Sequence, residues 1–210
     1  MFTGIVQAQC PVTRIEDQPS LRRLWVDLGP LAEDLTLGAS VAHNGVCLTV
    51  AAMEGTTAQF DVIQETLTLT NLAQVQVGTL LNVERSFKVG DEVGGHIVSG
   101  HVACAIPVAK VEQSNNLREL YFDVPRQWLK YLHLKGFAAL DGASLTISHH
   151  DETTAQIGVS LIPETIERTS LGGCVVGDLI NLEVDAQTQA VVETVERVLS
   201  SERYAHLANG

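Results

Sequence analysis

Basic residues are scarce: 13 lysines and arginines stand against 25 aspartates and glutamates, a formal charge of −12. Nucleic acid and anionic membranes are bound through clustered cations, so neither is expected as a partner. No apolar run approaches the roughly 20 residues that a membrane span needs. The opening MFTGIVQAQC lacks a basic region ahead of an apolar run, so no signal peptide is expected and a cytoplasmic location follows as the expectation. Cysteine is sparse too. Cys10, Cys47, Cys104 and Cys174 form no C-x-x-C pair, and a chain of 210 residues with 45% apolar content can bury a core without staples. Four reduced thiols are expected. The seven histidines show no H-E-x-x-H and no zinc spacing, so no metal is expected. Phosphate-loop, dinucleotide-binding and G-x-S-x-G motifs are missing as well. The glycine-rich GDEVGGHIVSGH is poor in basic residues and makes a poor phosphate cradle. An uncharged polycyclic ligand, held by strand-edge backbone groups and hydroxyls, fits better.

What the sequence does hold is a repeat. Leu35–Thr49, LTLGASVAHNGVCLT, aligns without a gap on Leu132–Thr146, LHLKGFAALDGASLT, 97 positions later. Thr3-Gly4 and Val6 align with Ser99-Gly100 and Val102, 96 apart. Glu65-Thr66-Leu67 aligns with Glu164-Thr165-Ile166, and Asn82-Val83-Glu84 with Asn181-Leu182-Glu183, each 99 apart. The drift needs only short loop insertions. One domain is therefore written twice.

Each copy reads as β. Val41-Ala42, the turn Asn44-Gly45 and Val46–Val50 make a hairpin, since Asn-Gly is a strong turn signal. Ala58–Ile63 and Thr79–Val83 add apolar runs. Phe137–Leu140, Ser144–Ile147, Gln156–Leu161 and Leu179–Val184 are their counterparts. Short helices are expected over Pro30–Leu35, Glu65–Leu72, Pro125–Leu132 and Pro163–Leu171, where Pro163 suits a first helical turn. The fold class is mainly β: tandem six-stranded, Greek-key-like barrels, closed so that no sheet edge is left open. The boundary is expected in the polar, glycine-rich Lys88–Gly95, giving barrels over 1–94 and 95–186. Residues 187–210 read as an amphipathic helix and tail. Val191, Val192, Val195, Val198 and Leu199 share one face of that helix. The face either packs on its own barrel or forms a seam between subunits.

A duplicated barrel offers two equivalent clefts, and unlike residues at matched positions suggest separate roles. Cys47 aligns with Ser144, Ile5 with His101, His43 with Leu140 and Gly38 with Lys135. Cys47 starts a strand and reads either as a reactive thiol or as a small buried hydrophobe. His101 reads as a proton carrier or a satisfied core group. Ser144 and Thr146 share one strand face. Asp185 precedes the last helix and reads as a functional carboxylate or a helix N-cap. Ser40 reads as a site hydroxyl or a turn residue. Spacing alone establishes no dyad or triad.

Met1–Val6, His43-Asn44-Gly45 with Cys47-Leu48-Thr49, and Gly94-Gly95-His96 with Ser99-Gly100-His101 resemble the riboflavin synthase family, alpha-chain type. So do Lys135-Gly136-Phe137, Asp141-Gly142 with Ser144-Leu145-Thr146, Leu161–Thr165, Asp185 and Gln187–Ala190. The resemblance runs over nearly the whole chain. It implies an enzyme, a transferase that dismutes two molecules of 6,7-dimethyl-8-ribityllumazine into riboflavin and 5-amino-6-ribitylaminouracil. It further implies a homotrimer without cofactor or metal, with two substrate molecules in a site between the first barrel of one subunit and the second barrel of its neighbour. Lumazine synthase is the further partner it suggests.

On that resemblance Ser144 and Thr146 contact one ring, with His101 close by for proton transfer. Cys47, Leu48 and Thr49 meet the other ring, where Cys47 adds to it or orients a water. Ser40 and Phe2-Thr3-Gly4 complete the first-barrel pocket, and Ile5 and Val6 are further substrate contacts. The backbone of Asp61, Val62, Ile63, Gln64, Glu65 and Thr66 holds one ring's polar edge. Leu161, Ile162, Pro163, Glu164, Thr165 and Ile166 hold the other, and Gly100, Val102 and Leu145 line the sites. Asp185 orients the ribityl chain or a proton relay, and Lys135 reaches across the subunit boundary. The nearest rival is a non-catalytic lumazine- or flavin-binding antenna protein of the same fold. Such proteins lack the polar set Cys47, His101, Ser144 and Asp185, all present here.

Overall fold

Alternation of apolar and polar residues builds twelve strands in a computed structural model that describes residues 1–114 and 117–200. The first six are β1 (Ala8–Gln18), β2 (Leu21–Asp27), β3 (Ser40–His43), β4 (Val46–Glu54), β5 (Thr57–Ile63) and β6 (Leu80–Arg85). They close into an antiparallel barrel in the order β1-β2-β5-β4-β3-β6. The second six, β7 (Cys104–Ser114), β8 (Leu117–Asp123), β9 (Phe137–Leu140), β10 (Ala143–Asp151), β11 (Gln156–Leu161) and β12 (Leu179–Val184), close in the same circular order. Fully buried side chains fill each barrel, among them Leu24, Phe60 and Leu81 in the first and Leu120, Phe122 and Leu140 in the second.

Two strands per barrel escape the sequence reading. The hairpin β1–β2 turns Val12, Leu24 and Val26 inward but carries Arg14, Glu16, Asp17 and Arg23 outside, which masks its apolar period. The hairpin β7–β8 repeats the arrangement.

The helices are shorter than expected. Glu65–Leu72 divides into α1 (Gln64–Leu69) and a 3-10 turn over Asn71–Gln74. Pro163–Leu171 divides after α2 (Arg126–Leu129) into α3 (Pro163–Arg168) and a 3-10 turn over Ser170–Gly172. The break falls at Thr70 and Thr169, both extended, whose hydroxyls donate to the carbonyls of Thr66 and Thr165 at 2.7 Å. A side chain that takes a helical carbonyl competes with the next backbone bond. Pro30–Leu35 contracts to a 3-10 turn, Gly29–Ala32, and Pro125–Leu132 to α2.

The last helix, α4 (Ala186–Leu199), is capped by Asp185, which accepts from the Thr188 N–H at 2.8 Å. It docks on the second barrel through Val192, through Lys130 to Glu196 at 2.5 Å, and through the Tyr131 hydroxyl donating to Glu193. Val191, Val195, Val198 and Leu199 are exposed. The expected single valine face is thus divided between the barrel and the outside. The tail expected beyond it, residues 201–210, lies outside the described residues.

The barrels exchange their leading segments. Val6, which precedes β1, is buried in the second core, and Val102, which precedes β7, packs on the first. Phe2 and Val98 form a bridge between the two leaders.

Candidate functional site

The interface between barrels is built from the repeat itself. Asn44-Gly45 and Asp141-Gly142 make tight turns with positive φ at both residues, the conformation that suits a right-twisted hairpin. The turns meet back to back, so that a Cβ on Gly45 would come within 2.8 Å of the Gly142 nitrogen. Their side chains then bond reciprocally. The Asn82 N–H donates to Asn44 Oδ1 and the Asn181 N–H to Asp141 Oδ1, each at 2.8 Å. Asn82 Nδ2 donates to the Asp141 carbonyl and Asn181 Nδ2 to the Asn44 carbonyl, each at 2.9 Å. Asn71 Nδ2 also donates to Asp141 Oδ1 at 2.9 Å. The donors to the Asp141 side chain, from Asn71, Asn181 and Ser170, are all neutral, and burial pushes its carboxyl up to about 7, against those hydrogen bonds.

The leaders are held across this dyad. Glu84 accepts from the Thr3 and Gly4 N–H groups at 2.6 and 3.0 Å, and Glu183 accepts from those of Ser99 and Gly100 at 2.7 and 3.0 Å. Burial raises the Glu84 pKa although Thr3 and Gly4 donate to the carboxylate. Ser144 then donates its N–H to the Gly4 carbonyl at 2.8 Å, and Cys47 to that of Gly100 at 3.0 Å. Both glycines have left-handed φ, 74° and 84°, and a Cβ on either would strike the Cβ of Ser144 or Cys47 at about 2.5 Å or less.

The repeat sets the same frame twice. Over Ser144 it opens as a cavity of about 430 Å³, walled by Gly4–Gln7, Ala143–Leu145 and, from α3, Glu164, Thr165 and Arg168. At the matching position Cys47 meets Gly100, so that Gly100-His101-Val102 stands where Gly4-Ile5-Val6 does, and α1 is the counterpart of α3 in the repeat. The exchange of leaders reassigns residues. Gly4 was expected in the pocket of the first barrel, and with Ile5 and Val6 it lines the cleft of the second. His101 was expected near the reacting pair with the second-barrel hydroxyls, and it directly follows the glycine that touches Cys47. Phe2 is buried between the barrels with Ala42, Val98 and Ala139, where Cys47 packs on it. Thr3 is buried on Glu84.

The remaining residues fall on the barrels as follows. Cys47 is half-buried, and Thr49, two residues on, is exposed on the same strand face; Ser144 and Thr146 repeat this pattern. Leu48, Leu145, Val62 and Leu161 point into the cores. Ser40 is half-buried and pairs with Thr49. Asp61 accepts from Arg23 Nε at 3.1 Å. Ile63, Gln64, Glu65, Ile162, Pro163 and Glu164 are exposed, and Thr66, Thr165 and Ile166 are half-buried. Lys135 is exposed in a left-handed turn, φ 68°. Asp185 serves as the N-cap of α4, with Thr188 Oγ1 2.7 Å away. Partial burial raises its pKa, but the bonds from Thr188 outweigh it and hold the carboxyl below its ordinary value.

One residue enters that the sequence reading quoted only as part of a motif. His96 Nδ1 lies 2.6 Å from Ser144 Oγ, and its ring stacks on Phe137 at 5.3 Å. Its Nε2 is buried without a hydrogen-bond partner. Burial lowers the pKa of the imidazole, partly offset by Asp185 and Glu183. A neutral imidazole joined to a hydroxyl at the rim of a cavity can relay a proton. Its signal in the sequence was weak, because His96 has no counterpart in the first copy and its partner is 48 positions away.

All four cysteines are free thiols. No group able to hold a metal occurs among the described residues, and none of their helices is long and apolar enough to cross a membrane.

Comparison with known proteins agrees with this architecture. A family model described as lumazine binding domain matches twice, over residues 3–86 and 99–185. Riboflavin synthase of Escherichia coli (strain K12) is 47% identical over 98% of this chain and 96% of its own length. Riboflavin synthase of Buchnera aphidicola subsp. Baizongia pistaciae is 40% identical over 95% and 94%. The crystal structure of LumP complexed with 6,7-dimethyl-8-(1'-D-ribityl) lumazine shares the fold, with a TM-score of 0.78 at 22% identity, covering 88% of this chain and 99% of that one. Two lumazine-binding barrels in tandem, matched from end to end by such relatives, place this chain in the riboflavin synthase family.

Proposed function

We propose that the chain takes two molecules of 6,7-dimethyl-8-ribityllumazine and moves a four-carbon unit from one to the other. The products are riboflavin and 5-amino-6-ribitylaminouracil. The observation that carries this reading is one backbone frame built twice with unlike polar groups: Cys47 beside Gly100-His101 in one, Ser144 joined to His96 in the other. A dismutation needs one substrate as carbanion donor, through its 7-methyl group, and an identical one as electrophile. Related clefts bind the same ring, and the unlike side chains divide the roles. Holding the rings together supplies effective molarity, at best about 7–11 kcal/mol of the barrier.

Within this proposal Ser144 and Thr146 contact one ring, and His96 carries a proton through Ser144. Cys47 and Thr49 contact the other ring, and His101 serves proton transfer there. The backbone of Asp61–Thr66 and of Leu161–Ile166 reads the polar ring edges. Ser40, Lys135 and Asp185 complete the site from its margins, and no cofactor takes part. The productive assembly is a cytoplasmic homotrimer, in which the first barrel of one subunit faces the second barrel of the next. The exposed valines of α4 support such an assembly. Lumazine synthase, whose name marks it as the source of the substrate, is the further partner. The pure protein incubated with the lumazine alone should form riboflavin, read by its absorbance. Absence of product would overturn the reading in favour of a binding protein.

A further inference from the structure

The outer wall of the cavity over Ser144 is α3, continued at Thr169 into the 3-10 turn Ser170–Gly172; its counterpart in the first barrel is α1, continued into Asn71–Gln74. Neither helix is long enough to hold its own place, and the carbonyls at the end of each unit need donors. One arginine per barrel supplies them. Arg22 on β2 donates through Nη1 to the carbonyls of Leu72, Ala73 and Val75 at 3.2, 2.7 and 3.4 Å. Arg118 on β8, 96 positions later, donates through Nη2 to the carbonyl of Cys174.

The two arginines are held differently. Asp17 faces Arg22 across the β1–β2 hairpin and takes Nε at 2.7 Å and Nη2 at 3.3 Å. The register position of Asp17 is filled in the second barrel by Gln113, which accepts from Arg118 Nη1 at 3.2 Å. Arg118 Nε is left buried without a partner. The first guanidinium is thus oriented by two charge-assisted bonds and grips three carbonyls, whereas the second has one neutral partner and grips one.

We infer that Arg22 and Arg118 are positioning residues for the two clefts, and that the wall over Cys47 is held more firmly than the wall over Ser144. The firmer wall binds the ring with less ordering cost and is the tighter site. The looser wall, which carries Glu164, Thr165 and Arg168, adapts to its ring on binding. This rests on the proposed function for the identity of the ligand, but the difference in stiffness does not depend on it.

Reciprocal exchange of the two hairpin partners tests the inference, since Asp17 and Gln113 are exposed, do not line the cavity over Ser144 and are not among the residues assigned to either ring. Hydrogen exchange of the intact protein reads the walls directly. Asp17→Asn should speed amide exchange in residues 64–74, and Gln113→Asp should slow it in residues 163–172. Fluorescence titration with riboflavin, which binds without reacting, reads the sites. Asp17→Asn should weaken the tighter site about threefold and Gln113→Asp should strengthen the weaker one about threefold, the scale of a partly exposed ion pair. KM for the lumazine should follow these shifts while kcat stays unchanged. Exchange rates that do not move in the matching wall, or move equally in both, overturn the inference whatever the ligand proves to be. Wild-type protein that binds no riboflavin overturns the proposed ligand instead, and leaves the exchange result to decide the clamp.

Discussion

Cys47 and Ser144 occupy the same place in the repeat, each with its N–H on the carbonyl of a leader glycine, so the scaffold treats them alike and only the side-chain atom differs. Cys47→Ser should therefore keep the fold and the ring contact. If the thiol adds to the substrate, turnover of the lumazine falls steeply, while riboflavin affinity stays within about twofold of wild type. Undiminished turnover would remove the nucleophile and leave the contact. His96 makes a sharper case. It touches Ser144 Oγ and has a buried, unpartnered Nε2, so His96→Gln should lower kcat by about 10²-fold or more while the protein still binds riboflavin. A kcat within a few-fold of wild type would show that the imidazole only fills space. The mismatches Cys47/Ser144 and Ile5/His101 were visible in one sequence because a repeat sets matched positions side by side. His96 was not, since a residue with no counterpart gives no mismatch, and its contact with Ser144 exists only once the chain is closed. The cleft assignments of Gly4 and His101 also escaped the alignment. A repeat reports which positions are equivalent, not that the leaders are exchanged between barrels.

At the scale of elements, the strands followed from period and turn chemistry wherever one face met solvent with neutral residues. They were missed where that face was charged, as in β1 and β2. The helices failed differently: Thr70 and Thr169 divide them by taking a carbonyl, and nothing in a 3.6-residue pattern announces which threonine does so. The last helix was legible in position and in its cap. Asp185→Ala should cost about 1 kcal/mol of stability by denaturant unfolding, because it removes the acceptor of the Thr188 N–H at the helix start. A larger loss of activity than this destabilisation explains would give Asp185 a second role at the site. The apolar face of α4 predicts a different result. Val195 is half exposed, so Val195→Glu should leave the monomer folded by circular dichroism yet lower its mass in sedimentation. An unchanged mass would mean that the chain's copies meet elsewhere, or not through this helix.

For the whole molecule, burial gives two titratable groups opposite effects on stability. Asp141 lies in the turn network with a pKa raised by burial to about 7, well above its unfolded value near 4. Between those values the folded chain holds a proton that the unfolded chain has lost, so this group's contribution to stability falls as pH rises. His43, buried edge-on against Phe60, has its pKa lowered by burial to about 3 from an ordinary 6.5. Between those values the unfolded chain holds the extra proton, and stability rises with pH. Each slope is about 1.4 kcal/mol per pH unit at its steepest, and they largely cancel between about pH 4 and 6.5. Asp141→Asn should remove one of them. The asparagine can keep the bond from the Asn181 N–H, as Asn44 keeps that from Asn82 in the other barrel, and can donate toward Ser170 Oγ. The variant's stability relative to wild type should then climb steadily from pH 4 to pH 7, by as much as about 4 kcal/mol, and level off above. Taking the difference between the two proteins at each pH removes every carboxylate they share. A difference that stays constant from pH 4 to pH 8 in urea unfolding would mean that Asp141 is ionised throughout, and that the seam between the barrels holds a buried charge on neutral donors alone.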